Sequence, residues 1–202
     1  MNIAVIGWGS LLWCRGSLRI RTKWRGDGPV LPIEFARVSE DGRLTLVIHP
    51  GSAPQPTYWA LSELDELRAA RRNLKEREGC PLANIHYFPL DEASPSIPPE
   101  VETELGSWLP KHKGVEAVIW TGLKTNWEEK FDKRAFSIDE AVRHLEKLDE
   151  ERRQARATYD RAKEYVQNAP PSIQTEVRKL MRERGWADAK LSDLLFEGER
   201  EK

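Results

Sequence analysis

The chain has 202 residues, of which 39% are apolar and 32% are charged. This composition predicts a folded core beneath a heavily charged surface and excludes a disordered chain. The 32 basic and 33 acidic side chains nearly cancel, so no net field favours nucleic acid or an anionic membrane. No apolar run approaches the ~20 residues that span a bilayer, and no signal peptide precedes the first strand, so we expect a cytoplasmic protein.

The first half of the chain is predicted to be rich in β-strands. Asp41-Gly42 separates two apolar runs and is typical of a hairpin turn, because glycine tolerates positive φ. A helix is expected to begin at Ser62, whose capping-box partner is Asp65, and to end near Gly79. A proline-rich loop with a short helix is expected between the last two strands. The predicted strands cover residues 3–6, 31–39, 43–51, 57–62, 84–90 and 115–123.

The last third of the chain is predicted to be helical. "SIDE" at Ser137 is a second capping box, and one apolar stripe continues without Gly or Pro to residue 169. Pro170-Pro171 ends this long helix, and a further helix is predicted over 172–184. We therefore expect a first domain over residues 1–130 and a C-terminal α-helical extension, residues 131–202, packed on it.

The stretch after the first strand, "IGWGSLLW", resembles a nucleotide-binding turn only in part. Gly7 and Gly9 match the first two glycines of G-x-G-x-x-G, but Leu12 occupies the third position and no clear helix follows. What remains is a glycine-rich turn whose consecutive N–H groups suit a carboxylate or a developing oxyanion, with Trp8 as an aromatic wall. An ordinary turn that buries Leu11 and Leu12 explains the same residues.

Glu76 and Glu78 lie at the carboxyl end of the predicted Ser62 helix, where an acidic side chain meets the negative end of the helix dipole. If one of them were buried beside a pocket, its pKa would rise and suit a general acid/base. Arg77 would oppose that rise if its side chain came close. The alternative is a solvated glutamate on a charged helix end.

Other chemistry-bearing residues give weaker signals. The four histidines are scattered and the chain has only two cysteines, so neither a metal site nor a disulfide framework is expected. The basic stretch Arg15–Arg25 is a candidate for binding nucleic acid or another anionic partner, and a solvated loop is the alternative.

Two motifs in this order resemble the γ-glutamyl cyclotransferase-like superfamily. The first is Trp8-Gly9-Ser10-Leu11-Leu12 after strand one. The second is Glu78, preceded by Arg77 and with Leu74 four residues upstream. The hairpin "EFARVSEDGRLTLVI" lies between them, and the resemblance covers about residues 1–125. It implies an α+β fold, a small mixed and mainly antiparallel β-barrel with packed helices, to which the C-terminal helical extension is an addition.

The resemblance also implies an activity. A member of this group cyclises a γ-glutamyl amide to 5-oxoproline and releases an amine or amino acid, with no cofactor and no metal. Glu78 would be the catalytic acid/base, and Trp8, Gly9, Ser10 and Leu11 would bind the small-molecule γ-glutamyl substrate. No nucleic-acid or membrane partner is expected, and the protein would be a monomer or homodimer.

Two departures from the family pattern bear on this assignment. Trp8 stands where tyrosine is more usual, and Cys80-Pro81 follows Glu78 in place of a tyrosine. They leave a second hypothesis open, a non-catalytic ligand-binding or protein-interaction module on the same fold.

Overall fold

The computed structural model describes residues 1–89, 91, 94, 96–151, 154 and 156–186, together with the backbone of 196–197. In this part of the chain the fold is mixed α+β, with two sheets and six α-helices. The strands are β1 (Ile3–Gly7), β2 (Trp24–Arg25), β3 (Leu31–Val38), β4 (Leu44–Ile48), β5 (Pro54–Gln55), β6 (Tyr58–Leu61), β7 (Ile85–Phe88), β8 (Ala117–Thr121) and β9 (Phe196–Glu197). The helices are α1 (Leu67–Glu78), α2 (Pro99–Trp108), α3 (Trp127–Lys130), α4 (Ile138–Glu150), α5 (Arg156–Asn168) and α6 (Glu176–Glu183).

The chain divides into two compact units that interleave along the sequence. The first consists of Met1–Leu31 and Pro56–Leu123 with β9, and the second of Pro32–Gln55 and the described residues of Lys124–Ser192. The hairpin β3–β4 therefore belongs to the same unit as the C-terminal helices. The predicted domain boundary at residue 130 stays a prediction.

The first unit is built on a sheet of strand order β7-β8-β1-β6-β2-β9. β1 is its central strand, fully buried, antiparallel to β6 and parallel to β8. The pairs Ile3↔Ala117 and Val5↔Ile119 fix the register. Continued by two residues, this register sets Gly7 level with Thr121. Because the two strands are parallel, the turn after β1 and the last residue of β8 both lie at the carboxyl-terminal end of this strand pair.

Helix α1 packs against β7 and β8 through its buried residues Ala70 and Leu74. The predicted start of this helix at Ser62 is wrong. The Ser62 N–H donates to the Ile3 carbonyl at 2.8 Å, and Ser62 forms a β-bridge with Ile20, so sheet pairing holds the backbone extended there. The predicted end is confirmed: Gly79 has φ 62°, and its N–H donates to the Lys75 carbonyl. Such a left-handed cap favours glycine.

The second unit packs its helices around a sheet of strand order β4-β3-β5. The predicted hairpin is confirmed, since β3 and β4 pair antiparallel with a bulge between Phe35 and Arg37. Gly42 takes φ 82° in the connecting turn. The Phe35 ring meets the Tyr165 ring of α5 edge to face at 6.2 Å, so helix α5 packs against the hairpin.

The single long helix predicted from residue 137 is two helices, α4 and α5. Its predicted cap is confirmed, because Ser137 Oγ accepts the Glu140 N–H at 3.2 Å. Helix α4 ends at Glu150, the described residues Glu151 and Gln154 form turns, and α5 begins at Arg156. The predicted helix over 172–184 is present as α6, which begins later behind the Thr175 cap.

The barrel predicted from the family resemblance stays a prediction. Among the described strands, the first sheet runs from β7 at one edge to β9 at the other, and the three strands of the second sheet are separate from it. The pairing is mixed, with antiparallel pairs such as β1–β6 and parallel pairs such as β1–β8.

Candidate functional site

The turn after β1 is a short, tightly wound segment at the carboxyl end of this central strand. The Leu12 N–H donates to the Gly9 carbonyl at 3.0 Å, and the Cys14 N–H donates to the Ser10 carbonyl at 2.8 Å. These bonds wind residues 9–14 into one helix-like turn that goes no further. The prediction that no helix opens directly after β1 is therefore confirmed.

The first N–H groups of this turn are available as donors. Within the described part of the chain, the N–H groups of Gly9, Ser10 and Leu11 have no hydrogen-bond acceptor. The start of any helical turn leaves its first donors unpaired in this way, and such groups favour anions and developing negative charge. Trp8 and Leu11 are buried at 6% exposure each. Gly9 is also buried, and Ser10 is only partly buried.

Glu78 is the last residue of α1, and its side chain is 16% exposed. Glu76, the other acidic candidate, is exposed on the same helix. The helix ends after Glu78 because Gly79 takes the left-handed conformation, which turns the backbone away. Of the two glutamates singled out from the sequence, Glu78 is therefore the more buried one.

Arg77 joins Glu78 to the turn. Its Nη1 donates to Glu78 Oε1 at 2.6 Å, and its Nη2 donates to Ser10 Oγ at 3.2 Å and also to the Cys14 carbonyl. The Arg77 side chain is only 12% exposed. One guanidinium group thus bridges the carboxylate at the end of α1 and the turn at the end of β1.

Burial raises the pKa of the Glu78 carboxyl above its ordinary value, because removal from water disfavours the charged form. The charge and hydrogen bond of Arg77 act in the opposite direction, and the Thr121 hydroxyl adds a smaller lowering. Desolvation is the largest of these effects and the net direction is upward. A carboxyl whose pKa is moved toward neutrality can both accept and return a proton.

Thr121, the last residue of β8, completes the surroundings of Glu78. Its Oγ1 is buried, and within the described residues no partner of normal hydrogen-bond geometry satisfies it. Thr121 nevertheless lies close enough to Glu78 to lower the pKa of that carboxyl. Its contact is therefore weaker than that of Arg77, and the hydroxyl keeps hydrogen-bonding capacity beside the carboxylate.

The structure brings together Glu78 and the turn that contains Ser10, two of the features singled out from the sequence. Trp8 is buried in the same turn, and its role as an aromatic wall stays a prediction. Sequence reasoning missed Thr121, and it treated Arg77 only as an opposing charge. The parallel pairing of β1 with β8 would have indicated Thr121, but pairing between strands 114 residues apart leaves no local pattern.

Two arginines of the basic stretch form ion pairs with acidic side chains. In the basic stretch, Arg19 pairs with Glu63 at 3.1 Å and Arg25 pairs with Asp27 at 3.4 Å. Across the residues that the structure describes, no group of three or more His, Cys, Asp or Glu side chains has an arrangement that could hold a metal ion. None of the described helices is both long enough and apolar enough to cross a bilayer.

Comparisons with known proteins give one weak likeness. No protein-family model matches the chain, and no curated protein matches it. A solved structure of a selenomethionine-labelled γ-glutamyl cyclotransferase specific to glutathione, from yeast, matches with a TM-score of 0.36 and 16% identity. The match covers 81% of this chain and 96% of that one. A likeness at this TM-score carries no argument about fold or activity.

Proposed function

We propose that this chain is a γ-glutamyl cyclotransferase-like enzyme that converts a γ-glutamyl amide to 5-oxoproline and releases an amine or amino acid. The observation that supports it is the bridge made by Arg77 between Glu78 and Ser10. That bridge sets a buried carboxylate of raised pKa beside a turn with available N–H donors. These are the two groups that such a cyclisation needs.

In the proposed reaction the α-amine of the substrate attacks its own γ-carbonyl. A new C–N bond closes the five-membered lactam, and the original amide C–N bond breaks. Because nucleophile and electrophile belong to one molecule, positioning supplies much of the rate gain. No redox partner is needed, since no atom changes oxidation state.

Glu78 handles the proton in this reaction. The α-amine is a nucleophile only when it is neutral, so the Glu78 carboxylate takes a proton from the substrate's ammonium group. The protonated carboxyl then delivers that proton to the nitrogen of the leaving amine, and in a second transfer it moves the extra proton of the new ring nitrogen to the same amine, which leaves as an ammonium ion. A raised pKa suits both steps, because a strongly acidic carboxyl is a poor base.

The turn after β1 binds the charge that develops on the substrate. During attack the γ-carbonyl oxygen becomes negative, and backbone N–H groups stabilise such an oxyanion without having to reorganise. Gly9, Ser10 and Leu11 offer these donors. Trp8, in the same turn, is proposed to border the substrate.

The test is direct. Purified full-length protein would be incubated with γ-glutamyl dipeptides, glutathione and γ-glutamyl amines, and 5-oxoproline would be measured by mass spectrometry. We expect Glu78→Gln to lower kcat/KM by about 10²–10⁴-fold. The matched control is Glu76→Gln, two residues earlier and exposed, which we expect to behave as wild type. Release of no 5-oxoproline from any of these compounds, or an undiminished Glu78→Gln variant, would overturn the proposal.

A second candidate function is a non-catalytic module on the same scaffold. The 2.6 Å hydrogen bond between Arg77 and Glu78 favours it, because a satisfied ion pair is also how a structural carboxylate is held. The two candidates are distinguished by isothermal titration with 5-oxoproline and non-hydrolysable γ-glutamyl analogues. A non-catalytic module would bind such a ligand without releasing 5-oxoproline from any γ-glutamyl compound. Its affinity would be the same with Glu78 and with Glu78→Gln.

A further inference from the structure

We infer that Arg77 is the positioning residue of this site, a single guanidinium that holds the Glu78 carboxylate and the Ser10 turn in one fixed arrangement. The inference rests on the proposed function, because it concerns how the same two groups are kept together. The Arg77 side chain makes two separate contributions to the site. One is the charge that Arg77 presents to Glu78, and the other is the geometry that it gives to the turn.

The geometric contribution follows from the shape of arginine. Nη1 donates to Glu78, while Nη2 donates to Ser10 Oγ and the Cys14 carbonyl. The planar fork fixes the directions of its N–H bonds relative to one another, so the positions of its partners are coupled. A lysine ammonium is a point charge on a flexible stem and cannot impose that coupling.

The electrostatic contribution follows from burial. Glu78 is largely removed from water, which on its own would leave the carboxyl protonated over a wider pH range. Within the described part of the chain, the charge that acts on Glu78 is that of Arg77. The facing group from β8 is the uncharged Thr121 hydroxyl, and on the far side of the guanidinium lies the Ser10 hydroxyl. His86 of β7 pairs with Trp120, which alternates with Thr121 along β8 and so points to the opposite face of the sheet.

A second anchor on the same helix provides a control. Asn73 lies one turn before Arg77 and holds the chain that follows the turn. Its Oδ1 accepts the Arg19 N–H at 2.8 Å, and its Nδ2 donates to the Ser17 carbonyl at 3.0 Å. Asn73→Ala therefore removes attachment between this segment and α1 without touching Glu78 or Ser10. If Arg77 served only to attach the segment, the two positions would behave alike.

Three variants separate the contributions. Arg77→Met removes both, so we expect the acidic limb of the kcat/KM profile to move to higher pH and kcat/KM to fall at least about tenfold at neutral pH. Arg77→Lys keeps the charge and loses the fork, so we expect the acidic limb to stay in place while KM rises. Asn73→Ala should change neither the pH profile nor the ratio of kcat to KM.

A readout that needs no activity makes the test independent of the proposed function. Carboxyl ¹³C NMR titration, with the Glu78 resonance assigned by comparison with Glu78→Gln, follows the protonation of that group directly. We expect a higher midpoint in Arg77→Met than in wild type and an unchanged midpoint in Asn73→Ala. If no γ-glutamyl compound is turned over, the proposed function fails, and this titration still decides whether Arg77 acts on Glu78.

Two results would overturn the inference. One is an Arg77→Met variant whose Glu78 titration and pH profile match those of wild type. The other is an Asn73→Ala variant that reproduces the whole effect of Arg77→Met, because the role of Arg77 would then be attachment alone. Circular dichroism of every variant checks that the folded state is retained.

Discussion

Asn126 forms with Val38 the two hydrogen bonds that a neighbouring β-strand would form. Its Oδ1 accepts the Val38 N–H at 2.9 Å, and its Nδ2 donates to the Val38 carbonyl at 2.9 Å. Both groups are buried, so the amide satisfies the end of β3 where water cannot.

We predict that Asn126→Ala destabilises the protein by about 2–4 kcal/mol, because it leaves a buried N–H and a buried carbonyl without partners. Urea unfolding followed by tryptophan fluorescence measures the loss. Lys130→Ala, an exposed change on the neighbouring helix α3, should stay within about 0.5 kcal/mol of wild type. Equal stability of Asn126→Ala and Lys130→Ala would contradict the assigned role.

Two glycine-to-alanine substitutions should change the free energy of unfolding in opposite directions. A Cβ atom at Gly122 would lie 2.5 Å from the ring of His86, whereas one at Gly106 would lie 3.9 Å from Phe88 Cζ. Gly122→Ala should cost about 1–3 kcal/mol, because the ring or the end of β8 must move. Gly106→Ala, exposed within α2, should stabilise by about 0.5–1 kcal/mol through helix propensity. Thermal unfolding of both variants under one set of conditions tests the pair, and a change of the same sign in both would refute the reasoning.

Asp27 should contribute stability that depends on pH. Burial acts to raise the pKa of its carboxyl, but the Trp59 indole, Arg25 and His112 together lower it below the ordinary value. A lowered pKa in the folded state stabilises the protein above the unfolded value, and this contribution is lost as pH falls through the folded value.

We therefore expect Asp27→Asn to destabilise by about 1 kcal/mol at pH 7, a modest figure because the side chain is half-exposed. The difference should shrink below about pH 4. Urea unfolding at pH 7 and pH 3 measures both values. A difference that is the same at the two pH values would show that charge is not its cause.

Glu78 should show the opposite pH dependence. Its folded pKa is raised, so the folded state holds its proton more tightly than the unfolded chain does. Stability from this group is fully present below the unfolded pKa and is lost as pH rises toward the folded pKa. The unfolding free energy of Glu78→Gln, measured relative to that of wild type, should thus increase as the pH rises from 4 to 7.

The expected gain is about 1.4 kcal/mol for each unit by which the folded and unfolded pKa values differ. The measured quantity is the difference in unfolding free energy between Glu78→Gln and wild type across that pH range. Glu76→Gln, on the exposed face, is the comparison. A difference that declines with pH would mean that Arg77 outweighs burial at this carboxyl.

Local features of the fold were predictable from the sequence where one segment decides its own structure. The left-handed Gly79, the hairpin turn at Gly42 and the Ser137 cap all depend on neighbours within a few residues. Ser62 matched the same kind of capping pattern, but pairing with Ile3 took precedence over it. Local patterns fail where a distant strand supplies the stronger interaction.

Local patterns likewise predicted only part of the candidate site. Glu78 and the turn with Ser10 stand out by residue type and position. Thr121 does not, because its proximity to Glu78 follows from the parallel pairing of β1 and β8. The bridging role of Arg77 likewise depends on a hydrogen bond across 67 residues of sequence.

Because the two units interleave along the sequence, the second unit cannot complete its folding until late in synthesis on the ribosome. The hairpin Pro32–Gln55 emerges early, but the segments that cover it come from Lys124 onward. Its buried side chains, including Ile33 and Phe35, must wait for most of the polypeptide to be made. A chain cut at residue 130 would expose that apolar surface permanently, so we expect such a fragment to aggregate or to be degraded.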